Sequence, residues 1–186
     1  NVRKFFQIHE GIEACEHGHW SKWRDFRNRT HGRKVEVRIL DPFIARLVKA
    51  LSAIGLTTSS SCDGHGENKA AVTFCGVYNK AWFRVILDDF IKQRGNLECN
   101  WRFEDRECII SHPENRILQL LLEIQSVAKF LYCNRESLRG VKCKVVSSID
   151  ADPSIRYRFE SEDAAENEIY RVFKSEFLKA RSGDPA

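Results

Sequence analysis

Apolar residues recur at helical spacing in four stretches of this chain. After Asp41 and Pro42, the residues Phe43, Ile44, Leu47, Val48, Leu51 and Ile54 fall on one stripe, the three-and-four spacing of an amphipathic helix. Asp41 suits the N-cap, Pro42 the first helical position and Gly55 a left-handed closing residue. A second helix is predicted from Asn79 to Gly95, burying Trp82, Phe83, Ile86, Leu87, Phe90 and Ile91. A third follows the capping-box pattern Ser111-His112-Pro113-Glu114 and carries Ile117, Leu121, Ile124, Ala128 and Leu131. A fourth opens at Ser161 with Ala165, Ile169, Val172, Phe173 and Phe177, its acids early and its bases late, as the helix dipole prefers.

Between these lie runs that alternate with period two, the mark of half-buried strands. Val35, Val37 and Ile39 share one face of a first run, and Val72 and Phe74 share a face of a second. In a third, Leu97, Cys99, Trp101 and Phe103 point one way, and a tight turn at Asp105-Arg106 leads back into Cys108-Ile109-Ile110. Further strands are predicted at Val141–Val146 and Ile155–Phe159. The fold class expected is α+β, with a mixed or antiparallel sheet and helices mainly on one face. Residues 1–149 read as one domain with a basic N-terminal segment. Residues 150–186 read as a strand plus an acidic amphipathic helix, appended to the same domain or to a partner.

Composition narrows the class. With 186 residues, 42% of them hydrophobic, the chain is neither disordered nor collagenous. No run approaches the roughly 18 apolar residues of a membrane span. The first residues, NVRKFFQIHE, do not form a signal peptide, and the seven cysteines are odd in number and scattered. Reduced thiols and a cytoplasmic setting are therefore expected. Charge is uneven: residues 150–186 hold 9 acids and 6 bases, so the chain's net charge of +4 arises in residues 1–149.

The densest chemistry lies in Thr57–Glu67, read as a loop. Ser59, Ser60, Ser61, Gly64 and Gly66 supply small donors and permissive backbone, materials for an anion cradle. Cys62, Asp63 and His65 add a thiol, a carboxylate and an imidazole, the groups of a catalytic or metal-binding loop. Cys62 and His65 stand at a spacing that lets both ligate one zinc ion, and Cys15 with His17 or His19 would complete four ligands. A cysteine-dependent hydrolase is the alternative chemistry, with the Cys62 thiolate activated by His65, His19 or His112. The alternative without chemistry is a solvated turn whose serines bond neighbouring backbone.

A second segment, residues 22–34, holds six Lys/Arg and one acid, interleaved with Trp23 and Phe26. Arg27, Arg29 and Arg33 could clamp phosphates while the aromatic rings stack bases. The same spacing of Trp20, Trp23 and Phe26 equally suits a buried helix face with its arginines in solvent.

Two resemblances bear on the loop. Asp63-Gly64-His65-Gly66 resembles the D-G-H-G element of metal-dependent serine/threonine phosphatases, but that fold needs a much longer chain and further Asp-Gly motifs. The stretch from Gly55 to Gly64, with Ser60, Ser61, Cys62 and Gly64, resembles the S-S-C-S-G-R signature of the tRNA wybutosine-synthesizing protein 3 family. That likeness covers about ten of 186 residues. It implies RNA modification with S-adenosylmethionine, and it does not extend to Asp63 or His65, where the family pattern has Ser and Arg. The function expected is binding or processing of a phosphate-bearing ligand (RNA, DNA or a nucleotide) through the Ser-rich loop, with zinc. The rival expectation is a non-catalytic module that docks a protein partner through its C-terminal helix.

Overall fold

Asp41-Pro42, Asp152-Pro153 and a set of left-handed glycines punctuate the described residues, and the elements form around them. The structure is a computed structural model that describes residues 21–182. A short helix α1 (Trp23–Asn28) and one 3-10 turn at Val37–Ile39 precede α2 (Pro42–Ala53). Strands β1 (Thr58–Cys62) and β2 (Ala70–Phe74) form a hairpin, and the long helix α3 (Val77–Arg94) follows. A second hairpin, β3 (Asn100–Glu104) and β4 (Glu107–Ser111), leads into α4 (Ile117–Cys133), α5 (Arg135–Ala151), α6 (Pro153–Glu160) and α7 (Glu166–Ser182).

The four strands make one antiparallel sheet in the order β1-β2-β4-β3. Register puts Val72 beside Cys108 and Cys108 beside Phe103, with Ala70, Ile110 and Trp101 as the next row. These residues share the face turned to the helices, where Ala70, Val72, Cys108 and Ile110 are at most 1% exposed. The other face carries Thr73, Arg102, Glu104 and Glu107. The α+β class is as expected, and the alternation of β3 is the reason it was readable: only one face is wet.

Helix α3 is the centre of the molecule. Phe83 meets Phe74, Trp101 and Phe103 on the sheet side. One residue earlier, Trp82 meets Phe173 and Phe177 of α7. Burial on two sides explains why α3 is apolar around most of its circumference rather than along one stripe. Even Lys80 is enclosed there, its ammonium paired to Glu166 at 2.7 Å. A cluster of Trp23, Phe26, Tyr78, Phe159 and Phe173 then joins α1, α3, α6 and α7.

Several expected elements differ. Val35–Ile39 is no strand: it holds a 3-10 turn, and Val37 and Ile39 are exposed. Residues Thr58–Cys62, read as loop, pair with β2 as a strand whose register shifts between Thr58 and Ser60, leaving Ser59 as a bulge. The stretches Val141–Val146 and Ile155–Phe159 are helical. Leu138, Val141, Val145 and Ile149 recur at helical spacing and are all buried. Before α6, Asp152 accepts bonds from the N–H groups of Ser154 and Ile155 and so caps the helix. The third helix begins at Ile117, not at Ser111, and has no side-chain cap. Phe43 lies half-exposed at 51%. Residues 150–182 are therefore helical throughout their ordered elements, and the stripe Ile169, Phe173 and Phe177 is buried in the same core as α3. No helix among the described residues is long and apolar enough to cross a membrane.

Candidate functional site

The loop joining β1 to β2 rests on the N-terminal end of α2, and two aspartates make the joint. Asp41 was expected to cap α2, but its side chain makes no capping bond. Its Oδ2 instead accepts the N–H of Asp63 at 3.2 Å. Asp63 in turn reaches back, and its Oδ2 accepts the N–H of Phe43 in the first turn of α2 at 3.4 Å. The two carboxylates have exchanged roles: Asp63, buried, holds the helix start, while Asp41 faces the loop.

Beyond Asp63 the backbone curls through three left-handed residues, Gly64 at φ +88°, His65 at +49° and Gly66 at +90°. Gly64 is obligatory on two counts, since a Cβ there would sit 2.2 Å from the Lys69 carbonyl. His65 adopts a conformation that costs a non-glycine residue about 1 kcal/mol, held by its N–H bond to Asp63 Oδ1 at 3.0 Å. Asn68 locks the far side of the loop to the end of β4. Its side chain donates to the His112 carbonyl at 2.6 Å and accepts the His112 N–H at 2.9 Å.

This curl brings the imidazole of His65 between the two carboxylates. Nε2 lies 3.8 Å from Asp41 Oδ2, and Nδ1 lies 3.7 Å from Asp63 Oδ1. Cys62 Sγ, at the end of β1, accepts the N–H of Gly64 at 3.3 Å. One ligand atom from each of Asp41, Cys62 and His65 lies within 4.8 Å of the others, the one such group among the described residues. Around a tetrahedral zinc, with bonds of about 2.0–2.3 Å, ligand atoms stand roughly 3.3–3.7 Å apart. The 3.8 Å between His65 Nε2 and Asp41 Oδ2 is close to that spacing, and the His65 side chain is 72% exposed.

The expected residues separate into those the fold joins and those it does not. Cys62, Asp63 and His65 come together, and Asp41 joins them. Asp41 was missed as a ligand because Asp-Pro at a helix start has a sufficient explanation as a cap. The serines do something else: Ser59 and Ser60 donate to Thr73, Ser60 at 2.8 Å, and lie along the strand. Ser61 Oγ is buried with no hydrogen-bond partner. The N–H groups of Asp63, Gly64, His65 and Glu67 are all taken within the site. With the Asp41 and Asp63 carboxylates flanking His65 and these N–H groups engaged, the loop suits a cation better than the anion expected of Ser59–Ser61, Gly64 and Gly66. His112 Nδ1 accepts the Glu114 N–H at 3.1 Å, a structural turn contact. Cys15, His17 and His19 lie outside the described residues.

The aromatic residues of the basic segment are built into the core, while Lys22, Arg24 and Lys34 stay exposed. Trp23 and Phe26 are 1% and 2% exposed, so neither ring can stack a base. Arg27 pairs with Asp150 and Glu160 at 3.2 and 3.1 Å. Arg29 lies near Asp25, and its carbonyl accepts from Lys142. The Arg33 carbonyl accepts from Ser52. No family model matches this sequence, and neither the curated proteins nor the solved structures provide a match.

Proposed function

We propose that this chain is a metal-dependent protein that binds and processes a phosphate-bearing ligand, with zinc held by Asp41, Cys62 and His65. The observation that supports this most is the convergence of three different ligand types, drawn from two separate elements, on one left-handed loop. Three ligands among the described residues leave a fourth position, for water or substrate in a catalytic site or for Cys15, His17 or His19 in a structural one. When bound there, zinc would supply Lewis acidity toward a phosphoryl oxygen or a water. Asp63 has the position of a residue that orients a metal-bound histidine, since its carboxylate faces the ring nitrogen opposite Asp41. The ligand class agrees with what the resemblance to the wybutosine-synthesizing family implies, and S-adenosylmethionine enters only through that resemblance.

Cobalt substitution tests the site. The protein loaded with one equivalent of Co²⁺ should show a sulfur-to-cobalt charge-transfer band that Cys62→Ala abolishes and Asp63→Asn only shifts. A band that survives Cys62→Ala, or no band at all, refutes the assignment. Selective alkylation of Cys62 that bound zinc does not slow would favour the thiol-hydrolase chemistry instead.

A further inference from the structure

A surface rich in cations lies along the flank of α2 and α4. Gln125 donates to the Phe43 carbonyl near the start of α2, and the Lys49 ammonium stands over the Tyr132 ring near its end. The two helices therefore run side by side in the same direction for the length of α2, about 18 Å for its 12 residues. Two adjoining grooves of about 500 and 560 Å³ follow this seam and share Lys49 and Tyr132. Their walls carry Lys34, Arg46, Lys49, Lys129, Arg135 and Arg139 against one acid, Glu136. Glu136 pairs with Arg135 and Arg139, so those two guanidinium groups are partly neutralised. Lys34, Arg46, Lys49 and Lys129 have no acidic partner among the described residues and are exposed.

Tyr132 stands in the middle of this surface, 42% exposed, with the Arg135 guanidinium 4.5 Å from its ring centroid. An exposed ring with Lys49 and Arg135 beside it fits a polymer that alternates charge and flat π-surface. We propose that the α2/α4 groove binds a single-stranded nucleic acid, its phosphates on Arg46, Lys49, Lys129 and Lys34 and a base on Tyr132. Single strands are favoured over a duplex because stacking on a side chain needs an unpaired base. Phosphate contacts along the groove would be sequence-tolerant. The start of the groove, at Phe43, adjoins the Asp41–His65 loop through the Phe43–Asp63 bond, so a strand lying in it would lead toward that loop. The inference deepens the phosphate-ligand part of the proposed function and is independent of the metal.

Fluorescence anisotropy with a labelled oligouridylate, an oligothymidylate and a matching duplex tests it, with chelator present throughout. Four phosphate contacts predict a log–log salt slope near −2.8 for single strands, so affinity should fall about 50-fold between roughly 50 and 200 mM salt. The double variant Lys49→Gln/Lys129→Gln should bind about tenfold more weakly and flatten the slope by about 1.4. Tyr132→Leu should lose about tenfold with the slope unchanged, Tyr132→Phe should retain affinity, and Arg171→Gln on α7 should bind as the parent does. The two single-strand arms report whether the sugar matters. The inference is overturned if single strands do not bind at low salt, if both the lysine pair and Tyr132→Leu bind like the parent, or if the duplex competes equally. Binding in chelator by a protein that never takes up metal would retire the zinc site and leave this surface standing.

Discussion

The Cys62–His65 loop and the Trp23–Arg33 segment are both dense in functional side chains, and the fold treats them in opposite ways. In the segment, the aromatic rings enter the core and Arg27 is paired, so its chemistry is used in holding α1 against α3, α5 and α6. In the loop, the buried groups (Asp63 and the loop N–H groups) hold the backbone in a left-handed curl, and what they hold is an exposed imidazole beside a carboxylate and a thiol. Ordinary packing explains the first region. It does not by itself account for the second, where a carboxylate, a thiol and an imidazole converge at a solvent-facing position.

This contrast can be broken most forcefully at Trp23. Trp23→Ala should destabilise the fold by about 3–5 kcal/mol in chemical denaturation, whereas Cys62→Ala should change stability by less than about 1 kcal/mol. A stable Trp23→Ala protein would make the segment a surface after all. A smaller effect is expected where the fold encloses a charge: Glu166→Gln leaves Lys80 without its carboxylate and should cost about 2 kcal/mol.

A comparable change follows from pH. Burial pushes the Lys142 ammonium down to about 7, in a site where it donates to the Arg29 and Gly55 carbonyls. Above that value the folded chain holds fewer protons than the unfolded one, so stability should rise with pH, by about 2 kcal/mol between pH 7 and 8.5. Burial also drives the Cys99 thiol up to about 12 and raises that of Cys108. These keep protons that the unfolded chain releases from about pH 8.5, so stability should stop rising and then fall. Lys142→Met should remove the rise and keep the fall; denaturation midpoints across this pH range measure both. The smallest effect sharpens the loop side of the contrast. His65→Gly should be more stable than His65→Ala by about 1 kcal/mol, because glycine accepts φ +49° without strain, although both lose the imidazole.

Much of this was legible in the residues themselves. Asp41-Pro42 and Gly55 marked α2, and alternation around the Asp105-Arg106 turn marked the β3–β4 hairpin, because caps, turns and half-wet faces are local signals. Val141–Val146 and Ile155–Phe159 were not legible, since short β-branched runs satisfy both periods until the neighbouring elements choose one. Asp152-Pro153 did carry the same signal as Asp41-Pro42 and marks the start of α6. In the site, Cys62, Asp63 and His65 stood out by spacing alone. The exchange of roles between Asp41 and Asp63 depends on how a hairpin meets a helix 22 residues away in sequence, and the cations of the α2/α4 groove come from segments that only the tertiary fold brings side by side.

The most direct test is X-ray absorption spectroscopy at the zinc edge on protein loaded with one equivalent of zinc. The expected first shell is one sulfur at about 2.3 Å and nitrogen or oxygen ligands at about 2.0–2.1 Å, with the sulfur lost in Cys62→Ala and the imidazole scattering lost in His65→Ala. A shell of oxygens alone, unchanged by either substitution, would show that the loop is not a metal site.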